Sequence, residues 1–177
     1  MSLSAISPRV NQEVLDGWSE LLSRYRWDWF ATLTWRRDVG VGMESAVRSF
    51  RGWLYACALR QAVRQGLAVV EPGGRPRGSW ANAYRAGKAW AVPVFALGVE
   101  RHGDGVIHLH GLVKFSDKLG DVSRRDAWAD WFKRHGINRI EPPKSSGHVA
   151  RYVSKYIAKD GEIVLSGSFD APAFSVC

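Results

Sequence analysis

The stretch that decides the fold runs from residue 92 to residue 115: VPVFALGVE (92–100), RHGDG (101–105) and VIHLHGLVKF (106–115). Its flanks are rich in Val, Leu, Ile and Phe and its middle in Gly and Asp, the composition of two strands joined as a hairpin. Strand residues two apart point the same way. One face then carries Phe95, Leu97 and Val99 with Ile107, Leu109 and Val113, a core face. The other carries Ala96, Gly98 and Glu100 with His108 and His110. With 101–105 as the loop, Glu100 is expected opposite Val106, which keeps it on the histidine face. Ala96 and Gly98 are small and leave space above the sheet.

Moving outward, WDWFATLTW (27–35) alternates, with Phe30, Thr32 and Thr34 on one face and Trp29, Ala31 and Leu33 on the other, and reads as a third strand. Between it and the hairpin, Val47, Phe50, Leu54 and Cys57 mark an amphipathic helix from about Met43 to Gln65, with Gly66 placed to end it. EPGGRPRGSWANAYRAGK (71–88) sustains no period and reads as a long basic loop. After the hairpin, Ser123 with Asp126 forms a capping box for a helix carrying Trp128, Trp131, Phe132 and His135, which stops at Gly136. INRIE (137–141) follows as a short strand, and a last helix runs from about His148 to Lys159. Upstream, Asn11 caps a helix with the stripe Val14, Leu15, Trp18, Leu21, Leu22 and Tyr25. The tail beyond Gly161 is ambiguous. The order is helix, βαββαβ, helix. It predicts an α+β fold: an antiparallel sheet with helices on one face and the last helix over the other. At 177 residues and 46% hydrophobic, the chain has room for one domain, 1–177, with the 71–88 loop inside it.

Charge points to a class of partner. Lys and Arg number 25 against 17 Asp and Glu, a formal +8, so polyanions are favoured. Residues 114–159 hold eleven basic side chains against five acidic ones and carry +6 of that surplus. Nine tryptophans along the chain are a second bias, and aromatics interleaved with basic groups suit stacking on unpaired bases, although most of these sit at core spacing. Two cysteines exclude a disulfide scaffold and a cysteine-rich zinc site. With no secretory pattern at the start and no stretch near the roughly 20 apolar residues of a membrane span, a reducing, cytoplasmic setting is expected.

His108 and His110 project together and can share one ion, and Glu100 brings a carboxylate to the same face. Two imidazoles and one carboxylate make a borderline site open to Mg²⁺, Mn²⁺ or Zn²⁺; the plain alternative is a pair of ordinary strand histidines. In RYVSKYIAKD (151–160), Tyr152 and Tyr156 lie four apart on one helical face, with Lys155 and Lys159 four apart beside them. A phenol with a reference pKa of about 10 is a weak nucleophile near neutrality, so cations or a metal acting on the target must help it. A phosphodiester is the natural electrophile. The alternative is an amphipathic helix whose tyrosines pack while its lysines snorkel.

Three segments in this order, FATLTW (30–35), E-x7-H-L-H (100–110) and Y-V-S-K-Y-I-A-K (152–159), resemble the motifs of HUH endonucleases of the rolling-circle replication initiator type. The third is most similar to the two-tyrosine pattern of phage A-protein initiators and helitron transposases. The resemblance implies a ferredoxin-like or RRM-like sheet and a sequence- or structure-specific single-strand DNA nickase and ligase using Mg²⁺ or Mn²⁺. It implies His108 and His110 as metal ligands with Glu100 as the third, and Tyr152 and Tyr156 as nucleophiles. Lys155 and Lys159 then steady the phosphate, and Thr32 and Thr34 support the DNA or the sheet beneath the site. Arg75, Arg77, Arg85, Lys88 and Arg151 are expected to hold the strand. Expected partners are single-stranded or hairpin origin DNA, a host helicase and a DNA polymerase, since the chain carries no Walker-type nucleotide loop. No membrane and no small-molecule cofactor is implied. Two other readings are a non-catalytic RRM-like single-strand binder, and a transposase or relaxase using the same chemistry.

Overall fold

The computed structural model describes residues 12–36, 39–68, 92–101, 103, 105–143, 145 and 162–166. The hairpin forms as its composition predicts, from β2 (Val94–Arg101) and β3 (Ile107–Lys114). Its register corrects one expectation: Arg101 pairs with Ile107, so Glu100 stands opposite His108 and not Val106. The first strand runs one residue further than its apolar pattern suggests, and Gly105, at φ +81, supplies the turn that only glycine adopts readily. A two-residue shift preserves the alternation, so Glu100 stays on the histidine face.

β1 (Trp29–Thr34) pairs antiparallel with β3, β4 (Asn138–Glu141) with β1, and β5 (Glu162–Leu165) with β2. The sheet is antiparallel throughout, in the order β4-β1-β3-β2-β5. β5 is an element the sequence pattern leaves undecided, because its four residues are too few to display a period.

One face of the sheet is the main core. Trp29, Ala31 and Leu33 of β1, Phe95, Leu97 and Val99 of β2, and Ile107, Leu109 and Val113 of β3 pack against Phe50, Trp53 and Leu54 of α2 (Met43–Arg64) and Trp131 of α3 (Arg124–Arg134). Side chains of this size contribute about 1.5–3 kcal/mol each when fully buried. Trp53 also donates its indole N–H to Ala127 O at 3.1 Å, tying α2 to α3. Gly111 lets Phe50 in: a Cβ there would stand 3.2 Å from Phe50 Cζ. The capping box opens α3, with Ser123 Oγ accepting from Asp126 N at 3.2 Å.

The opposite face is divided. Val94, Ala96 and Leu112 form an apolar half with Phe30 and Leu165, covered by Leu22 and Leu21 of α1 (Gln12–Ser23) and by Tyr25 and Trp27. The expectation of helices gathered on one face therefore holds for α2 and α3 but not for α1, whose Leu21 and Leu22 pack on the histidine face. The last helix expected at 148–159 and the loop at 71–88 lie outside the described residues. Among the described residues, no helix is long and apolar enough to cross a membrane.

Candidate functional site

The other half of that divided face is polar. In register across three strands, Thr34 pairs with His108 and His108 with Glu100, while Thr32 pairs with His110 and His110 with Gly98. Alternation along each strand therefore puts Thr32, Thr34, His108, His110 and Glu100 in one patch, and Gly98 adds no side chain to fill it. The hairpin motif and the first strand, more than 70 residues apart in sequence, are brought together by the β1–β3 pairing.

His110 is 5% exposed. Its Nε2 lies 3.4 Å from Glu100 Oε2, and its Nδ1 lies 3.4 Å from Thr32 Oγ1. His108 Nδ1 lies 3.1 Å from Thr34 Oγ1. Both imidazoles thus have Nδ1 engaged by a threonine hydroxyl, and His110 turns Nε2 toward the carboxylate. Glu100, with a quarter of its side chain exposed, is the more open member of that pair.

The donors suit a divalent cation. Two ligand atoms at right angles in a shell of about 2.1 Å stand about 3 Å apart, close to the 3.4 Å between Glu100 and His110. Imidazole nitrogen and carboxylate oxygen together are acceptable to Mn²⁺, Zn²⁺ and Mg²⁺. Among the described residues, no three His, Cys, Asp or Glu side chains are gathered tightly enough to hold an ion as they stand. Glu100 and His110 are adjacent, and a third ligand from this face would require His108, opposite Glu100 in register, to close on them.

The sheet edge adds a residue that the sequence pattern does not assign. Arg139 of β4 pairs with Thr32, so it lies on the histidine face, largely exposed, with its guanidinium 2.7 Å from Glu141 Oε1. Only the β1–β4 register reveals this, and no local pattern in INRIE gives it. Tyr152, Lys155, Tyr156, Lys159 and Arg151 lie outside the described residues, as do Arg75, Arg77, Arg85 and Lys88. A separate cleft of about 510 Å³ lies at the other end of β1, lined by Tyr25, Arg26, Trp27, Asp28, Arg124 and Pro143 among others, and none of the predicted site residues lines it. Burial raises the Asp28 carboxyl there above its usual value, against the Phe115 N–H that it accepts and the nearby Lys114.

No family model, curated protein or solved structure matches the chain.

Proposed function

We propose that this chain is a metal-dependent single-strand DNA nickase and strand transferase of the HUH rolling-circle initiator type, built on a ferredoxin-like sheet. The observation that carries the reading is the meeting of Glu100 and His110 at 3.4 Å, with His108 directly opposite Glu100 in register on the same face. The strand order supports the fold assignment. In β4-β1-β3-β2, α2 connects β1 to β2 and α3 connects β3 to β4, a split β-α-β arrangement to which β5 adds an outer strand.

A divalent cation bound there would supply Lewis-acid polarisation of a non-bridging phosphate oxygen. Glu100, His108 and His110 are the residues that would hold it on the sheet. The phenol oxygen of Tyr152 or Tyr156 attacks phosphorus in line as the bond from phosphorus to O3′ breaks, and the proton that the phenol loses to solvent is balanced by the one that the departing O3′ takes up. The products are a 5′-phosphotyrosine and a free 3′-OH that a polymerase can extend. Attack by a 3′-OH on the phosphotyrosine reverses the step and rejoins DNA, with one ester bond replacing another. Lys155 and Lys159 hold the phosphate, and Arg75, Arg77, Arg85, Lys88 and Arg151 hold the strand. Transposases and relaxases use the same transesterification on other DNA contexts, within the same proposal.

A stacking-only RRM-like module has less support. It needs aromatic rings displayed on the sheet, whereas Trp29, Phe95 and Phe115 are each about 1% exposed and Phe30 packs under α1.

The test is incubation with a library of single-stranded and hairpin DNA in Mn²⁺ or EDTA, followed by denaturing gels. A Mn²⁺-dependent covalent band mapping to Tyr152 or Tyr156 supports the nickase. EDTA-insensitive retention without any adduct supports the binding module instead.

A further inference from the structure

The two threonines of β1 stand directly across from the two histidines of β3. Register pairs Thr34 with His108 and Thr32 with His110, and each hydroxyl reaches the Nδ1 of the ring opposite, at 3.1 and 3.4 Å. A neutral imidazole carries one proton. If Nδ1–H donates to a threonine oxygen, Nε2 keeps its lone pair and can ligate. Nε2 of His110 is the nitrogen turned toward Glu100.

We infer that Thr34 and Thr32 are positioning residues, whose hydroxyls hold His108 and His110 as Nδ1–H tautomers with Nε2 presented to a divalent cation beside Glu100. The inference rests on the metal site proposed above. It gives the first motif a physical role. Of the residues in FATLTW, the two hydroxyl-bearing ones, Thr32 and Thr34, alternate onto the histidine face, whereas Ala31 and Leu33 are buried in the main core. A hydroxyl suits this role because it can accept from Nδ1–H in the loaded site and donate to bare Nδ1 when the other tautomer is present. Thr34 has the greater effect of the two. Its contact is the shorter, and the ring it holds, His108, is the one that must close on the pair already formed by His110 and Glu100.

The test measures Mn²⁺ affinity of the full chain by electron paramagnetic resonance of the free ion, with imidazole ¹⁵N shifts as a second readout. T34V keeps the β-branched shape that strands accept and removes the hydroxyl, and T34S restores the hydroxyl. Expected is a roughly 10–100-fold loss of Mn²⁺ affinity in T34V, with T34S near the parent, since outer-shell partners of metal-bound histidine commonly act on that scale. The ¹⁵N spectrum of T34V should also lose the predominance of Nδ1–H at His108. H108A and H110A calibrate the site. Parent-like Mn²⁺ binding and tautomer in T34V, alongside weakened binding in H108A and H110A, overturn the role of the threonine and leave the metal site standing. Parent-like Mn²⁺ binding in both histidine variants overturns the metal site, and the threonine inference with it.

Discussion

A Cβ placed on Gly136 would stand 2.7 Å from the carbonyl oxygen of Thr34, so the end of α3 is pressed against the strand that backs the histidines. The contact belongs to a short ladder in which Thr34 N donates to Ile137 O and Arg36 N donates to His135 O, both at 2.9 Å. Gly136 also sits at φ +149, a conformation that L side chains rarely adopt. Gly136→Ala therefore meets both strain and a backbone that cannot swing aside. The expected cost is about 1–3 kcal/mol. Urea unfolding checks it, and an unchanged midpoint would contradict the close approach.

Glu100 is expected to matter through its charge. Glu100→Gln keeps the size and hydrogen-bonding reach of the side chain but removes the anion that faces His110 Nε2. Mn²⁺ affinity should fall by more than the roughly 10–100-fold typical of an outer-shell residue. Under the proposed function, retention of single-stranded DNA in EDTA should be nearly unaffected, because phosphate contacts would be spread over many cations. Calorimetric titration with Mn²⁺ measures the first and filter binding the second. A variant that binds Mn²⁺ like the parent would remove Glu100 from the site.

Most of the site's composition was legible because it rests on strict alternation. The pattern H-L-H places two imidazoles on one face whatever the partner strand does, and a two-residue register error leaves Glu100 with them. What alternation cannot supply is which strand lies beside β3. The Thr34–His108 and Thr32–His110 contacts come from a pairing between segments more than 70 residues apart, and Arg139 joins through a strand of four residues. The side chosen by α1 was equally hidden. Its stripe states that the helix packs on something, while the apolar half formed by Val94, Ala96 and Leu112 decides on what. β5 is not legible for a related reason: its pairing with β2 is a long-range contact that a four-residue segment does not announce.

Cys57 should be chemically silent in the folded chain. It is buried in the main core, and that burial pushes its thiol up to about 12, against the smaller opposing pull of Arg60. The thiolate is the reactive form, so almost none is present at about pH 8. In a Cys177→Ser background, which removes the only other cysteine of the sequence, a thiol-specific chromogenic reagent should find no reactive group in the native chain and one in concentrated urea. Rapid native labelling would mean that α2 opens away from the sheet.

His135 makes stability sensitive to mild acid. Its ring packs 4.4 Å from that of Trp131 and 5.9 Å from that of Trp35, and burial, followed by the neighbouring Arg134, lowers its pKa from the ordinary 6.5. A depressed folded-state value means that the unfolded chain takes up the proton first. The contribution is therefore present above about pH 6.5 and is lost as pH falls through the lower folded value. Comparing urea midpoints at about pH 7.5 and about pH 5.5, the parent should lose more stability than His135→Gln, because the other four histidines titrate in both chains and cancel in the difference. Equal losses would show that the ring charges as readily in the fold as outside it. A larger loss in the variant would reverse the sign of the coupling between this ring and the Trp35–Trp131 edge-to-face pair beside it.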